Sequence, residues 1–216
     1  MKGIVLCSGG LDSTLAYLKL VDKGYEAIPM YVKHKHWAEA GELECLERMF
    51  PRLVTINVNL GAQVDGVWGR TIAFVGLAAM WAFTHGNDYD FIAIGNHIGD
   101  VSPDLTPGDF DRQLNSVLRI ATKDRISLTC PIRDYDIARI GYELFVDYEV
   151  RPEDVYSCYW APSCGYKHEK DTYRCAGCRR KKLAMMAAGI TDEKLLDLPN
   201  CTERNYYPEN ATKSDY

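Results

Sequence analysis

The sequence carries one glycine-rich stretch near its start, Ser8-Gly9-Gly10-Leu11-Asp12-Ser13, and apolar segments of two kinds flank it. Residues 3–7, just before it, form a short apolar run, which predicts a buried strand. Residues 13–23, just after it, place leucine and valine side chains at helical spacing, which predicts an amphipathic helix. The stretch is therefore expected to form the turn that joins the first strand to the first helix.

The same alternation of short apolar runs and longer amphipathic segments continues along the chain. Further strands are predicted over residues 27–32, 53–58, 91–94 and 126–129. Further helices are predicted over residues 37–50, 71–83, 109–121 and 136–145, and the apolar part of the second of these, residues 75–83, is assigned to the core. Strands that alternate with helices indicate a parallel sheet with helices on both faces, so the predicted fold class is α/β.

Composition and charge exclude several functional classes. The chain has 216 residues, of which 47% are hydrophobic and 25% are charged, a balance typical of one globular domain with at most a small appendage. The formal net charge of −5 opposes strong binding to nucleic acid or to anionic membranes. No apolar run approaches the ~20 residues that span a bilayer, and the first run is too short for a signal peptide. We therefore expect a cytoplasmic protein.

The glycine-rich stretch has the chemistry of an anion-binding loop. In a parallel sheet, the turn from strand to helix lies at the carboxyl edge, where ligands bind. Gly9 and Gly10 allow a close approach of the backbone to an anion, and Asp12 offers a carboxylate to Mg²⁺. The hydroxyl groups beside them belong to Ser8, Ser13 and Thr14. The simpler alternative is a tight turn in which Asp12 or Ser13 caps the helix.

A second motif lies near the C-terminus, where four cysteines fall within a short segment: Cys158, Cys164, Cys175 and Cys178. Four thiolates fit tetrahedral Zn²⁺ and leave no open position, which favours a structural zinc site. The alternatives are His168 in place of Cys164, an iron–sulfur cluster, or buried free thiols. The basic residues Arg174 and 179–182 offset thiolate charge or, as the more ordinary interpretation, form a solvated helix face. Cys7 and Cys130 are candidate nucleophiles only in principle, and Cys7, at the end of a buried strand, is expected to pack in the core.

The glycine-rich stretch resembles the signature loop of the PP-loop, or N-type, ATP pyrophosphatases. The resemblance implies that the loop grips the β,γ-pyrophosphate of ATP while a substrate oxygen attacks the α-phosphorus, which gives an adenylated intermediate and pyrophosphate. The nucleotide-binding residues that it implies are Leu6, Cys7, Ser8, Gly9, Gly10, Leu11, Asp12, Ser13 and Thr14.

The loop and the cysteine motif together resemble the 7-cyano-7-deazaguanine synthases, which make the nitrile precursor of queuosine. Asp100-Val101-Ser102-Pro103-Asp104 with Pro107 is similar to a loop of that family, shortened here by two residues. Further similar segments are Ser157-Cys158-Tyr159, Gly69-Arg70-Thr71 and Thr122-Lys123. The resemblance implies an adenine nucleotide alpha hydrolase-like domain over residues 1–150, a zinc-binding and helical segment over 151–190, and a C-terminal helix with a loose tail over 191–216.

The activity that the resemblance implies uses ATP and ammonia to convert 7-carboxy-7-deazaguanine to the amide and then to the nitrile. The implied catalytic residues are Ser8, Asp12, Ser13, Arg70 and Lys123, and the implied substrate-binding residues are Arg70, Asp100 and Asp104. The implied cofactors are Mg²⁺ and a structural Zn²⁺ on the four cysteines, and the implied assembly is a homodimer.

Several departures indicate a divergent member, of the kind found in phages or defence systems. Residues 31–34 replace the family's Asp-Tyr-Gly-Gln, and residues 165–174 are an insertion in the cysteine segment. The run Lys33-His34-Lys35-His36 lines the nucleotide site or, as the more ordinary interpretation, forms a solvated loop. Such a member could stop at the amide, or adenylate another carboxylate or a tRNA base. A third interpretation is a non-catalytic module that binds nucleotide and zinc.

Overall fold

A computed structural model describes residues 1–36, 38–59, 69–86, 88–100, 108–157 and 176–191. In these ranges the strands are β1 (Lys2–Leu6), β2 (Glu26–Lys33), β3 (Val54–Asn57), β4 (Phe91–Ala93) and β5 (Ser127–Thr129). The helices are α1 (Leu11–Asp22), α2 (Glu39–Met49), α3 (Arg70–Thr84), α4 (Asp109–Thr122), α5 (Ile137–Tyr142) and α6 (Ala176–Ala187). Single turns of 3₁₀-helix lie at Ile98–Asp100 and Pro152–Asp154, and a π-helical turn at Glu143–Asp147 follows α5.

The five strands form one parallel sheet in the order β3-β2-β1-β4-β5, so the α/β prediction is confirmed. From β1 the chain moves outward to β2 and β3, and it then crosses back to β4 and β5 on the other side of β1. The carboxyl end of β1 is therefore the point where the winding of the sheet reverses. In open α/β sheets, ligands bind in the crevice at that point.

Alternate residues of the strands pack into two separate cores. Ile4, Met30 and Ile92 face α3 and α4, whereas Val5 and Tyr31 lie in the core that includes residues of α1 and α2. This alternation is the period of two that a strand imposes on its side chains. The predicted core role of residues 75–83 holds for Val75, Ala78, Ala79 and Ala82, which are buried, while Gly76 and Met80 are exposed.

The described part of the C-terminal region packs on the sheet domain. Ala184 of α6 shares a buried cluster with Ile140 of α5 and Leu15 of α1. A Cβ atom at Gly141 would lie 2.1 Å from the carbonyl oxygen of Ala184, so the two helices are in close backbone contact. This contact brings the first turns of α6 to the carboxyl edge of the sheet.

Helix α1 begins at Leu11 with Gly10 as its N-cap, and no side chain caps it, so the alternative of an Asp12 or Ser13 cap is wrong. The reason is that Gly10 has an extended backbone and its carbonyl oxygen accepts the Thr14 N–H at 3.1 Å.

The predicted C-terminal helix and tail lie almost wholly outside the described residues. Among the described residues, no helix combines the length and the apolar character that a membrane span requires.

Candidate functional site at the carboxyl edge of the sheet

The glycine-rich loop is held from behind by two elements. Gly9 has a φ of +73°, a value that favours glycine, and a Cβ atom there would lie 3.0 Å from the carbonyl oxygen of Glu42 in α2. The Tyr156 N–H donates a hydrogen bond of 2.8 Å to the Gly9 carbonyl oxygen. This bond satisfies an acceptor that would otherwise repel an anion at the loop. The backbone of the loop is thus fixed before any ligand arrives.

Hydroxyl groups and main-chain amides lie at the front of the loop. The Ser8 N–H donates to Ser13 Oγ at 3.1 Å, and the two serine hydroxyl oxygens are 3.3 Å apart. The Thr14 hydroxyl is buried and has no hydrogen-bond partner within the described part of the chain. The first amides of an α-helix have no partner inside the helix, so those of α1 add main-chain donors to these hydroxyls. The arrangement fits a phosphate group.

A charged cluster lies on the β4 side of the loop. Its members are Asp12 in the first turn of α1, His97 and Asp100 after β4, and Arg180 in α6. The His97 Nε2 atom is 3.7 Å from Asp12 Oδ1 and 3.5 Å from Asp100 Oδ1. The Arg180 guanidinium lies against the His97 ring and donates to Asp12 Oδ2 at 3.1 Å and to Asp100 Oδ1 at 3.2 Å. One ligand atom from each of the two carboxylates and the histidine lies within 4.8 Å of the others.

The two carboxylates, rather than the histidine, suit a metal ion. The Gly99 N–H donates to His97 Nδ1 at 3.0 Å, and the Arg180 guanidinium, which can only donate, is hydrogen-bonded to Nε2. Donors thus face both ring nitrogens of His97, and neither nitrogen is left free to ligate a metal. Asp12 Oδ1 is buried without a hydrogen-bond partner among the described residues, which leaves a carboxylate oxygen for a hard cation.

Two opposing effects act on the pKa of the Asp12 carboxyl. Burial raises the pKa of the Asp12 carboxyl, while the nearby Arg180 and His97 act in the opposite direction. The net effect is a raised pKa, which the Arg180 charge partly offsets. The main chain of Asp12 packs closely on the segment that follows β4, since a Cβ atom at Gly95 would lie 2.7 Å from the main chain of Asp12 and Ser13.

An aromatic cluster, with Glu42 beside it, lies on the β2 side of the loop. The rings of His34 and His36 stack with centroids 4.2 Å apart, and Phe74 of α3 meets His34 edge-on at 5.1 Å. The Tyr31 hydroxyl donates to Glu42 Oε2 at 2.8 Å, and His36 Nε2 lies 3.1 Å from the same oxygen. Because His34 is buried, the interpretation of this run as a wholly solvated loop is wrong.

The predicted catalytic and substrate residues divide into those that lie at this edge and those that do not. Asp100 belongs to the charged cluster, and Arg70 begins α3 on the β2 side. Burial raises the pKa of Tyr31 and lowers that of His34, and the Arg70 charge lies near enough to lower both. Lys123 follows the end of α4, at the opposite edge of the sheet, so the structure does not bring it to the loop. Asp104 lies outside the described residues.

Of the predicted zinc ligands, Cys158, Cys164 and Cys175 lie outside the described residues, and Cys178 is buried in α6. The expectation of a solvated basic face on this helix is wrong at two positions. Arg180 binds the two carboxylates, and buried Lys181 donates to the Val155 carbonyl oxygen at 2.7 Å. These contacts attach α6 to the back of the loop.

Cys7 packs in the core, as the sequence predicts, whereas Cys130 is only partly buried. Cys7 is buried at the end of β1, and burial raises its pKa. Burial also raises the pKa of Cys130, to about 12. A nucleophilic cysteine needs a thiolate, so neither is suited to that role near neutral pH.

Sequence reasoning missed three members of the two clusters: His34 as a buried group, His97 and Arg180. His97 follows the strand that neighbours β1, and a polar residue after a buried strand was a usable signal. Its meaning depended on the order of the strands, which the sequence pattern does not contain. Arg180 depended on the packing of α6, which carries no local signal.

The fold and the loop define a class: an α/β protein with a glycine-rich turn at the reversal point of its parallel sheet. A family model described as "Queuosine biosynthesis protein QueC" matches residues 59–189, more than half of the chain. The chain therefore belongs to this family. The match begins after the glycine-rich loop, so the loop and the family model are separate observations.

Curated relatives extend the similarity over most of the chain. A 7-cyano-7-deazaguanine synthase of Saccharolobus solfataricus is 27% identical over 88% of this chain, which spans only 46% of that relative. A 7-cyano-7-deazaguanine synthase of Methanocaldococcus jannaschii is 25% identical over 89% of this chain and 98% of its own length. Among solved structures, a 4-thiouridine synthetase–RNA complex with bound ATP is similar with a TM-score of 0.47 and 18% identity, over 90% of this chain and 53% of that one.

Proposed function

We propose that this protein is an ATP-dependent carbon–nitrogen ligase that converts 7-carboxy-7-deazaguanine and ammonia to 7-cyano-7-deazaguanine. The observation that carries the proposal is the junction of the anion-binding loop and the Asp12–Asp100 pair at one edge of the sheet, in a member of the QueC family. The names of the curated relatives support the choice of substrate and product.

ATP would bind with its phosphates on the loop. The amides at the start of α1 and the hydroxyl groups of Ser8, Ser13 and Thr14 would contact the β- and γ-phosphates. Asp12 and Asp100 would hold Mg²⁺, which neutralises charge on the phosphates when bound. The unpartnered Asp12 oxygen supports this assignment. The structural Zn²⁺ on the four cysteines remains a prediction of the sequence.

The first reaction forms an acyl adenylate. A carboxylate oxygen of the substrate attacks the α-phosphorus, a new P–O bond forms, and the bond to the bridging oxygen breaks as pyrophosphate leaves with its electron pair. Such a step needs positioning and charge stabilisation rather than a protein nucleophile. This agrees with thiols that remain protonated at Cys7 and Cys130.

Ammonia then attacks the carbonyl carbon, AMP leaves, and a proton is released, which gives the amide. A second adenylation on the amide oxygen, followed by loss of AMP and a proton, gives the nitrile. Arg70 and Arg180 supply positive charge on opposite sides of the loop. Because Asp100 is assigned to Mg²⁺ here, Asp104, from outside the described residues, would accept N–H groups of the guanine-like ring.

Release of pyrophosphate tests the proposal. The protein would be incubated with ATP, Mg²⁺, ammonium and 7-carboxy-7-deazaguanine, and in parallel with other carboxylates and with tRNA. We expect release with the deazaguanine carboxylate, and mass spectrometry of the product would separate the nitrile from the amide. Release that does not respond to this carboxylate would contradict the proposal.

A further inference from the structure

The His34 side chain contains a buried acceptor for which the described residues provide no donor. Its Nδ1 atom lies 3.0 Å from the Val32 carbonyl oxygen, which can only accept, so Nδ1 carries the proton. Burial lowers the pKa of His34, so the ring is neutral and Nε2 has a free lone pair. The residue is only 7% exposed, and Nε2 has no hydrogen-bond partner within the described part of the chain.

An unsatisfied buried acceptor is costly, and native proteins provide most such groups with a partner. His36 does not provide one, because its Nε2 atom lies at Glu42 and Tyr31 and its ring stacks on that of His34. Phe74 presents only carbon-bound hydrogen to the ring. A bound ligand that carries an N–H group can supply the donor that the described residues lack.

The position of His34 relative to the loop indicates which ligand. The Cys7 N–H donates to the Met30 carbonyl oxygen at 2.8 Å, so Ser8 and the residues that follow Met30 leave the sheet side by side. His34 comes directly after β2, next to β1. A ligand whose phosphates contact the loop can thus extend toward His34 on this side and toward the charged cluster on the other.

The side chains on the β4 side of the loop differ in charge and shape from those on the β2 side. The β4 side is occupied by two carboxylates and an arginine, which suit phosphates, a metal ion and a reacting carboxylate. The β2 side presents the flat rings of His34, His36 and Phe74, which suit a flat, uncharged base. We infer that His34 recognises the adenine ring of ATP, with its Nε2 lone pair accepting a hydrogen bond from the 6-amino group. This inference rests on the proposed use of ATP.

The decisive probe is purine riboside triphosphate, which is ATP without the 6-amino group. Equilibrium binding of ATP and of this analogue would be measured by calorimetry, with Mg²⁺, for four proteins: native, His34→Leu, His34→Gln and His85→Leu. Leucine removes the acceptor and glutamine keeps one. His85 is an exposed histidine at the far end of α3, stacked on Trp81, and serves as the matched control.

We expect the native protein and His85→Leu to bind ATP about tenfold more tightly than the analogue, the effect of one net hydrogen bond. In His34→Leu the two nucleotides should bind almost equally, and His34→Gln should keep most of the preference. The comparison within the native protein stands even if His34→Leu fails to fold.

Equal affinity of the native protein for the two nucleotides would overturn the inference and leave the ligase proposal intact. Failure to bind any nucleotide would contradict both. The heterocyclic substrate also carries N–H donors, so its affinity would be measured in native and His34→Leu proteins. Loss of substrate affinity with an unchanged preference for ATP would assign the donor to the substrate and overturn the inference.

Discussion

The two sides of the glycine-rich loop differ both in chemistry and in origin. On the β4 side, Asp12, Asp100 and Arg180 form an ionic cluster whose members come from distant parts of the chain. On the β2 side, His34, His36 and their neighbours are aromatic and mostly come from one short segment. Under the proposed function, the ionic side would carry out the reaction and the aromatic side would select the nucleotide. Substitutions on one side at a time test whether activity and nucleotide affinity depend on different sides of the loop.

The largest effect is expected from Asp12→Asn. Loss of the carboxylate removes its charge from the reacting phosphates, so pyrophosphate release should fall by about 10²-fold or more. Burial raises the pKa of Asp12, so the ionised carboxylate destabilises the folded state at pH values above the usual carboxyl pKa. The melting temperature of Asp12→Asn at pH 7 should therefore not fall below that of the native protein. Asp124→Asn, at the exposed far end of α4, is the matched control. Native activity in Asp12→Asn would refute the role of the ionic side.

Removal of the Arg180 charge is expected to have the next largest effect. Arg180→Gln should lower the rate by about tenfold, the scale of one charge-assisted hydrogen bond. Arg180 holds the pKa of Asp12 down against burial, so its loss should move the acidic limb of the pH–rate profile to higher pH. Arg180→Lys keeps the charge and should leave the limb near its native position. A limb that does not move in Arg180→Gln would show that Asp12 does not control it.

A change on the aromatic side should affect affinity rather than turnover. Phe74→Ala removes the edge contact to His34, and we expect the KM for ATP to rise about fivefold with kcat nearly unchanged. Ile72→Ala, an exposed position on the same helix, is the control and should match the native protein. A fall in kcat without a change in KM would mean that the two sides do not divide the roles as proposed.

The smallest effect is expected from Tyr31→Phe, which deletes only the hydroxyl that donates to Glu42. Burial raises the pKa of Tyr31, so this hydroxyl remains a donor, and its loss should reduce the free energy of unfolding by about 1 kcal/mol. Urea denaturation would measure the change, and pyrophosphate release should remain at the native rate. A large loss of activity would place Tyr31 in the reaction instead.

The aromatic and ionic sides also differ in what the sequence could reveal. The loop, the strands and the helices were predictable because each is a local pattern. The joining of Asp12, His97 and Arg180 was not predictable, because it depends on β4 lying beside β1 and on α6 packing against α5. Lys123 shows the same limit, since a position after a helix does not reveal which edge of the sheet that helix reaches. The zinc ligation by the cysteines remains a prediction.

The most direct test of adenylation at the loop follows oxygen atoms. The substrate 7-carboxy-7-deazaguanine would be prepared with ¹⁸O at both carboxylate oxygens and incubated with ATP and ammonium, and the AMP would be examined by mass spectrometry. Attack of the carboxylate on the α-phosphorus predicts AMP that contains one ¹⁸O atom, with one labelled AMP for each amide and two for each nitrile. Unlabelled AMP, or ADP in its place, would contradict the account.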